Sequence, residues 1–250
     1  LGNSDGNAPF VGGLIEGNQV THTVGYNLQI KHQNPRPTDL PEVNKPHVTL
    51  IRGNLFSKSD SLINSPPGPM ARPNVLIGDL PSQGAGRKDR TLIYRNLFWQ
   101  NTSESLFQGE GNLALYNNIF VTHGPAAIRI QPHNGVPRDV QIFQNTVLAT
   151  GDGIFLRTPE NNAFTQVVDS NVVVSPHPIS GADTQGNVTL GFDSAGGVLV
   201  QPFADLRHMD LSPRHNLVVQ KRGVLDSRRT LPDFNVDFFG RPRLEHEIGA

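Results

Sequence analysis

Two carboxylates follow glycines at the ends of short apolar runs: Asp79 after Gly78 and Glu110 after Gly109. Brought side by side, such a pair either shares a divalent cation such as Ca²⁺ through its oxygens or splits its pKa values and works as an acid and a base. Asp79 and Glu110 are therefore the candidate metal ligands. Equivalent segments elsewhere in the chain carry Lys31 with His32, Arg129, Gln131 with His133, and Arg157. Lys31, Arg129 and Arg157 would neutralise an acidic ligand. Removing a proton beside a ligand carboxylate needs a base, and Lys31, His32 and His133 are the candidates. Phe107 and Phe155 offer flat apolar faces on which a ring can stack, with Gln131 and Arg157 beside them to bind substrate. The competing reading of the same residues is a solvated polar face with no ligand.

Other motifs carry less. Gly84-Ala85-Gly86-Arg87-Lys88 resembles a phosphate-cradling turn, yet it lacks the spacing and the Ser or Thr of a nucleotide-binding loop and reads as an exposed loop. His177 and His208 have no second ligand at metal spacing, and no Ser, His and Asp arrangement sits at a nucleophile elbow. A chain without Cys excludes disulfides and thiol catalysis. Its 21 Lys plus Arg against 22 Asp plus Glu leave no positive field for a nucleic-acid backbone, so no nucleic-acid partner is expected. No apolar run reaches the roughly 18 residues of a membrane span, and Leu1 to Gly6 does not read as a signal peptide.

What must position these side chains is a repeat. An apolar residue, two variable ones, then Asn and two more positions ending on an apolar residue recur as Ile15 to Val20, Ile51 to Phe56, Ile93 to Phe98, Leu115 to Phe120, Ile142 to Val147 and Val168 to Val173. The Asn residues are 18, 54, 96, 118, 145 and 171, spaced by 36, 42, 22, 27 and 26 residues. A second strand-like run follows each of the first five: Asn27 to Lys31, Asn74 to Gly78, Ser105 to Gly109, Ala127 to Gln131 and Gly153 to Arg157. The 25 Gly and 20 Pro scattered through the chain turn it every few residues and disfavour long helices. A short repeat of this kind is one coil of a parallel solenoid, in which equivalent residues stack about 4.8 Å apart along the axis. The six Asn then form an inward ladder, each bonding to the next coil and tolerating the bend at which it sits. Phe56, Phe98 and Phe120, two places later, stack in the interior.

With this ladder the chain resembles the right-handed parallel β-helix proteins of the pectate-lyase-like group over about residues 12 to 180. The segment Asp237 to Arg243 with Glu247 to Ala250 is similar to the tail that closes many of them. The resemblance implies the handedness, a third strand in each coil and carbohydrate chemistry; it supplies no catalytic motif. The expected fold is all-β: a right-handed parallel β-helix of about six coils over 1–175, with loop insertions at 32–46, 57–73 and 81–89, and an irregular C-terminal cap and tail over 176–250 with a short helix near Phe203 to Met209.

Aligning the second strands puts Leu28, Val75, Leu106, Ile128 and Ile154 inside. Gln29, Leu76, Phe107, Arg129 and Phe155 then face outward, followed by Lys31, Gly78, Gly109, Gln131 and Arg157, and at the turn by His32, Asp79, Glu110, Pro132 and Thr158. The two glycines leave a shallow trough beside the carboxylates. The function expected is that of an exported protein, extracellular, periplasmic or at the cell surface, which binds or cleaves polysaccharide and is most like a lyase for uronate-containing chains. The alternative is a structural solenoid module. Leu1 to Gly12, or sequence upstream of it, has to cover the open first coil, because a bare strand edge invites self-association.

Overall fold

The protein is described by a computed structural model, covering residues 1–37, 41–58, 71–157, 164–183, 186–205, 207–214, 228–243 and 248–250. The chain winds as a right-handed parallel β-helix whose coils contribute strands to three long sheets, all parallel. The first sheet is built from Leu14–Glu16, Val48–Arg52, Arg90–Tyr94, Gly111–Tyr116, Pro137–Phe143 and Gln166–Asp169. The second takes Gln19–Val20, Leu55–Ser57, Leu97–Trp99, Ile119–Thr122, Thr146–Ala149, Val172–Val174 and Val188–Leu190. The third takes Leu28–Ile30, Val75–Ile77, Phe107–Gly109, Ala126–Ile130, Asp152–Leu156 and His177–Ser180. Coiling therefore runs past residue 175, where the sequence pattern fades: His177–Ser180 pairs with Asp152–Leu156, and Val188–Leu190 with Val172–Val174.

The corner between the first and second sheets explains the repeat. The side-chain amide and the backbone N–H of Asn18 both donate to Oδ1 of Asn54, at 2.9 Å each, and the pattern passes through Asn96, Asn118, Asn145 and Asn171 to Asn187, a seventh member. The unusual backbone belongs to the residue before each Asn. Gly17, Gly53 and Gly186 have φ of 65°, 62° and 77°, and Arg95, Asn117, Gln144 and Ser170 are held at 53° to 58°. Glycine adopts this left-handed bend freely, whereas an L side chain there carries strain that the ladder's bonds offset.

Inside the helix each coil adds one apolar layer. Phe56, Phe98 and Phe120 stack as expected, with centroids 5.4 and 4.4 Å apart. Outside, a second aromatic stack runs through Tyr94, Tyr116 and Phe143, at 4.9 and 5.0 Å. It is covered by Leu231 and Phe234, while the Tyr116 hydroxyl donates to the Pro232 carbonyl. The outward face of the second sheet, including Ile119, Val121, Leu148 and Val174, is covered by Ala195, Leu199, Leu211 and Ile248. The C-terminal region is thus a cover for two of the three faces. It holds a 3₁₀ turn at Phe192–Gly197; the described residues of Phe203 to Met209 form turns, with 206 outside the described residues.

Of the expected insertions, 32–46 holds the short helix Pro41–Asn44, and most of 57–73 lies outside the described residues. The third, 81–89, is tied back by the buried pairing of Arg36 with Asp89 and by the bridge from Arg36 to Ala85. At the first coil Lys31 N–H donates to the Leu1 carbonyl at 2.9 Å and Asn34 N–H to Gly6 at 2.9 Å, and Phe10 packs on the end of the core. No helix among the described residues is long and apolar enough to cross a membrane.

Candidate functional site

The third sheet carries the candidate site, with one change of register. Val75 pairs with Phe107 and Phe107 with Ile128, so Phe107, and not Leu106, occupies the inward row. Phe107 is fully buried, edge-on to Phe98 at 6.2 Å, and cannot stack on a ligand. Two adjacent apolar residues, Leu106 and Phe107, make the period-2 pattern ambiguous there, and both are buried, Leu106 just before the strand begins. The outward row reads Gln29, Leu76, Gln108, Arg129, Phe155 and Ser180.

The expected glycine trough is filled. Gly109 faces inward, where a Cβ would lie 2.6 Å from Leu113 Cδ1, and a Cβ on Gly78 would lie 2.4 Å from the His32 backbone nitrogen of the preceding coil. Both glycines are sites of close approach. Glu110 itself falls level with Gly78: its N–H donates to Ile77, as that of Gly78 does to Ile30.

Asp79 and Glu110 do converge, on the turn at Gly135. Glu110 is 1% exposed, and its carboxylate accepts backbone N–H bonds from His133 at 2.9 Å, Asn134 at 3.0 Å and Gly135 at 2.7 Å. Such a charge-assisted clasp fixes a loop. Asp79 abuts Gly135, where a Cβ would meet its Oδ2. Burial pushes the Asp79 carboxyl above the usual carboxylate range and Glu110 adds to the rise, opposed by the Leu80 N–H, Arg138 and His32. Arg138 stands 3.8 Å from Asp79 Oδ1, and its guanidinium donates to the Leu80 and Pro81 carbonyls.

A calcium ion needs six to eight oxygens. Glu110 spends its lone pairs on amides, Arg138 supplies the positive charge, and no group of three His, Asp or Glu that could hold a metal occurs among the described residues. These residues do not fit Ca²⁺.

The base candidates lie in two segments, Lys31 and His32 after one strand of the third sheet and His133 after another. Lys31 is half-buried beside Leu1; the His32 ring packs on Gly6 of the N-terminal segment; the exposed His133 is tied to Glu110 through its backbone N–H. Arg129 lies over the Phe155 ring at 5.7 Å and 3.4 Å from Asp152, and Gln131 and Arg157 follow at the strand ends, half-buried and exposed. Thr158 lies outside the described residues.

One group has no sequence signal. Lys58, at the turn from the second sheet to the third, is 8% exposed, donates to the Arg72 carbonyl at 2.5 Å, and is pulled down to about 8 by burial, against the attraction of Glu104. Nothing in its local sequence marks it, since its partner at Arg72 lies 14 residues further along the chain. Comparison of this chain with protein-family models, curated proteins and solved structures finds no match.

Proposed function

We propose that this protein is an exported polysaccharide-binding β-helix, and that it holds an acidic, uronate-containing chain across the outward face of the third sheet. The observation that carries the reading is the row Gln108, Arg129, Phe155 on successive coils of a face that, among the described residues, neither apolar cluster of the C-terminal cover occupies. Phe155 provides a ring platform, Arg129 and Arg157 the countercharge, and Gln108 and Gln131 hydrogen bonds to hydroxyls. The likeness to pectate-lyase-like helices supports the same class of ligand.

Cleavage by elimination is the further step of this reading. It requires an unprotonated base beside the sugar's acidic carbon, and Lys58, with its lowered pKa, meets the titration requirement better than an ordinary surface lysine. None of Lys31, His32 and His133 stands in the row Gln108, Arg129, Phe155, which favours the second reading, a binding or scaffold solenoid without catalysis.

The test is binding to immobilised polygalacturonate, alginate and a neutral glucan, with ultraviolet detection of unsaturated ends. Retention on an acidic polymer, reduced at least about tenfold in both Phe155→Ala and Arg129→Gln, is the expected result. Equal retention of parent and variants, or none by either, leaves the scaffold reading. Unsaturated product that disappears in Lys58→Met would establish the lyase step.

A further inference from the structure

A second site, away from the third sheet's face, lies where the strands of the first sheet begin. An open cavity of about 700 Å³ is lined there by Arg87, Lys88, Arg90 and Arg138, with Asp139 the single carboxylate among the described residues and Phe164 an apolar wall. A β-bulge shapes it: opposite Asn112 the chain sets two residues, sending Arg138 inward to the Leu80 and Pro81 carbonyls and leaving Asp139 exposed.

The decisive group is Arg90. Its Nε and Nη2 are out of solvent and without a hydrogen-bond partner. These nitrogens form one edge of the guanidinium, the edge whose two parallel N–H groups match two oxygens of one anion. Leaving both buried and unmet is costly, and nothing among the described residues meets them. Burial and the like charge of Arg228 hold Arg90 below its ordinary pKa, although Asp139 and Tyr116 act in the opposite direction. On the rim, Arg87 and Lys88 are exposed and make no ion pair among the described residues, on a turn anchored by the Gly84 and Gly86 carbonyls and by the buried partnership of Asp89 with Arg36.

We infer that Arg90 is the floor of an oxyanion-binding site for an anionic sugar: its Nε and Nη2 edge, closed to water here, turns toward the cavity to take the carboxylate, sulfate or phosphate group bidentately, with the sugar ring laid against Phe164. The inference stands apart from the reading of the third sheet, and it gives a role to the exposed Arg87 and Lys88 side chains.

Calorimetric titration with glucuronate, glucose 6-sulfate, glucose 6-phosphate, inorganic sulfate and glucose tests it. At least one anionic sugar should bind about tenfold or more tightly than glucose, and Arg90→Gln and Arg90→Lys should each weaken it at least fivefold, the second because an ammonium keeps the charge without the fork. Removing an unmet guanidinium leaves folding intact, which circular dichroism and the melting temperature check. Arg129→Gln should leave this affinity unchanged, so a failure here is separable from a failure at the third sheet. Phe164→Ala should weaken the sugar anions and spare inorganic sulfate. Absence of binding by the parent, or less than fivefold loss in both Arg90 variants, overturns the site; inorganic sulfate binding as tightly as the sugar esters, with Phe164→Ala silent, overturns the assignment of a sugar.

Discussion

A single ladder asparagine does more than fill space. Asn118 donates to the Ile93 carbonyl and to Asn145, and its Oδ1 accepts from both the backbone and the side chain of Asn96, all of it buried. Replacing it by Leu strands donors and acceptors on two neighbouring coils at once and is expected to cost on the order of 3 kcal/mol or more. Asn18, at the start of the ladder, is exposed, and its side chain donates to Glu16 and Asn54 without accepting from a preceding ladder member. Asn18→Leu should cost about 1 kcal/mol. Denaturant midpoints of the two variants measure the difference, and equal midpoints would mean that the ladder does not act as a buried chain of amides.

Strands depend on register, and register is where sequence and structure part. The ladder, the three stacked Phe residues and the parallel coiling follow from spacing, because Asn and apolar positions recur at a constant offset through insertions of different length. The third sheet gives less purchase: at Leu106-Phe107 two apolar residues compete for one inward place, and the interior decides for Phe107 by its contact with Phe98. That one shift turns Gly109 from a trough residue into a packing residue. Gly109→Leu should accordingly destabilise the fold by about 1 to 3 kcal/mol, since its Cβ already meets Leu113 and Phe107. A melting temperature unchanged in this variant would restore the outward placement. The meeting of Asp79 with Glu110 does not follow from the glycine before each, because Glu110 falls level with Gly78 and not with Asp79. What each carboxylate does there is no more legible, because the amides of 133–135 and the Arg138 guanidinium reach them from coils whose loop geometry no local pattern encodes.

At the scale of the molecule, a solenoid held by contacts between neighbours should fray from either end, each coil answering only to the next. This one is laced by its C-terminal segment. Arg95 pairs with Asp233 at 3.0 Å and donates to the Phe238 carbonyl, Asn117 donates to the Asp233 and Val236 carbonyls, and Gly249 N–H reaches Ser170. The strap grips the bend residues that precede ladder asparagines in three coils, and it seals the Tyr94, Tyr116 and Phe143 stack. Deleting residues 228–250 should remove on the order of 5 kcal/mol, lower the melting temperature by roughly 10 to 20 °C and raise the binding of a hydrophobic dye, with strand content retained. A truncated protein that melts like the parent would reduce the strap to decoration. Its position also sets a timetable for synthesis. Each coil can stack as soon as the next one leaves the ribosome, because ladder partners lie 16 to 42 residues apart. The strap's bonds to Arg95, however, span 138 and 143 residues. At roughly 5 to 20 residues per second the aromatic stack therefore waits, bare, for roughly 5 to 30 seconds, so a nascent chain halted before residue 228 is a coil already wound with its stickiest face open to its neighbours.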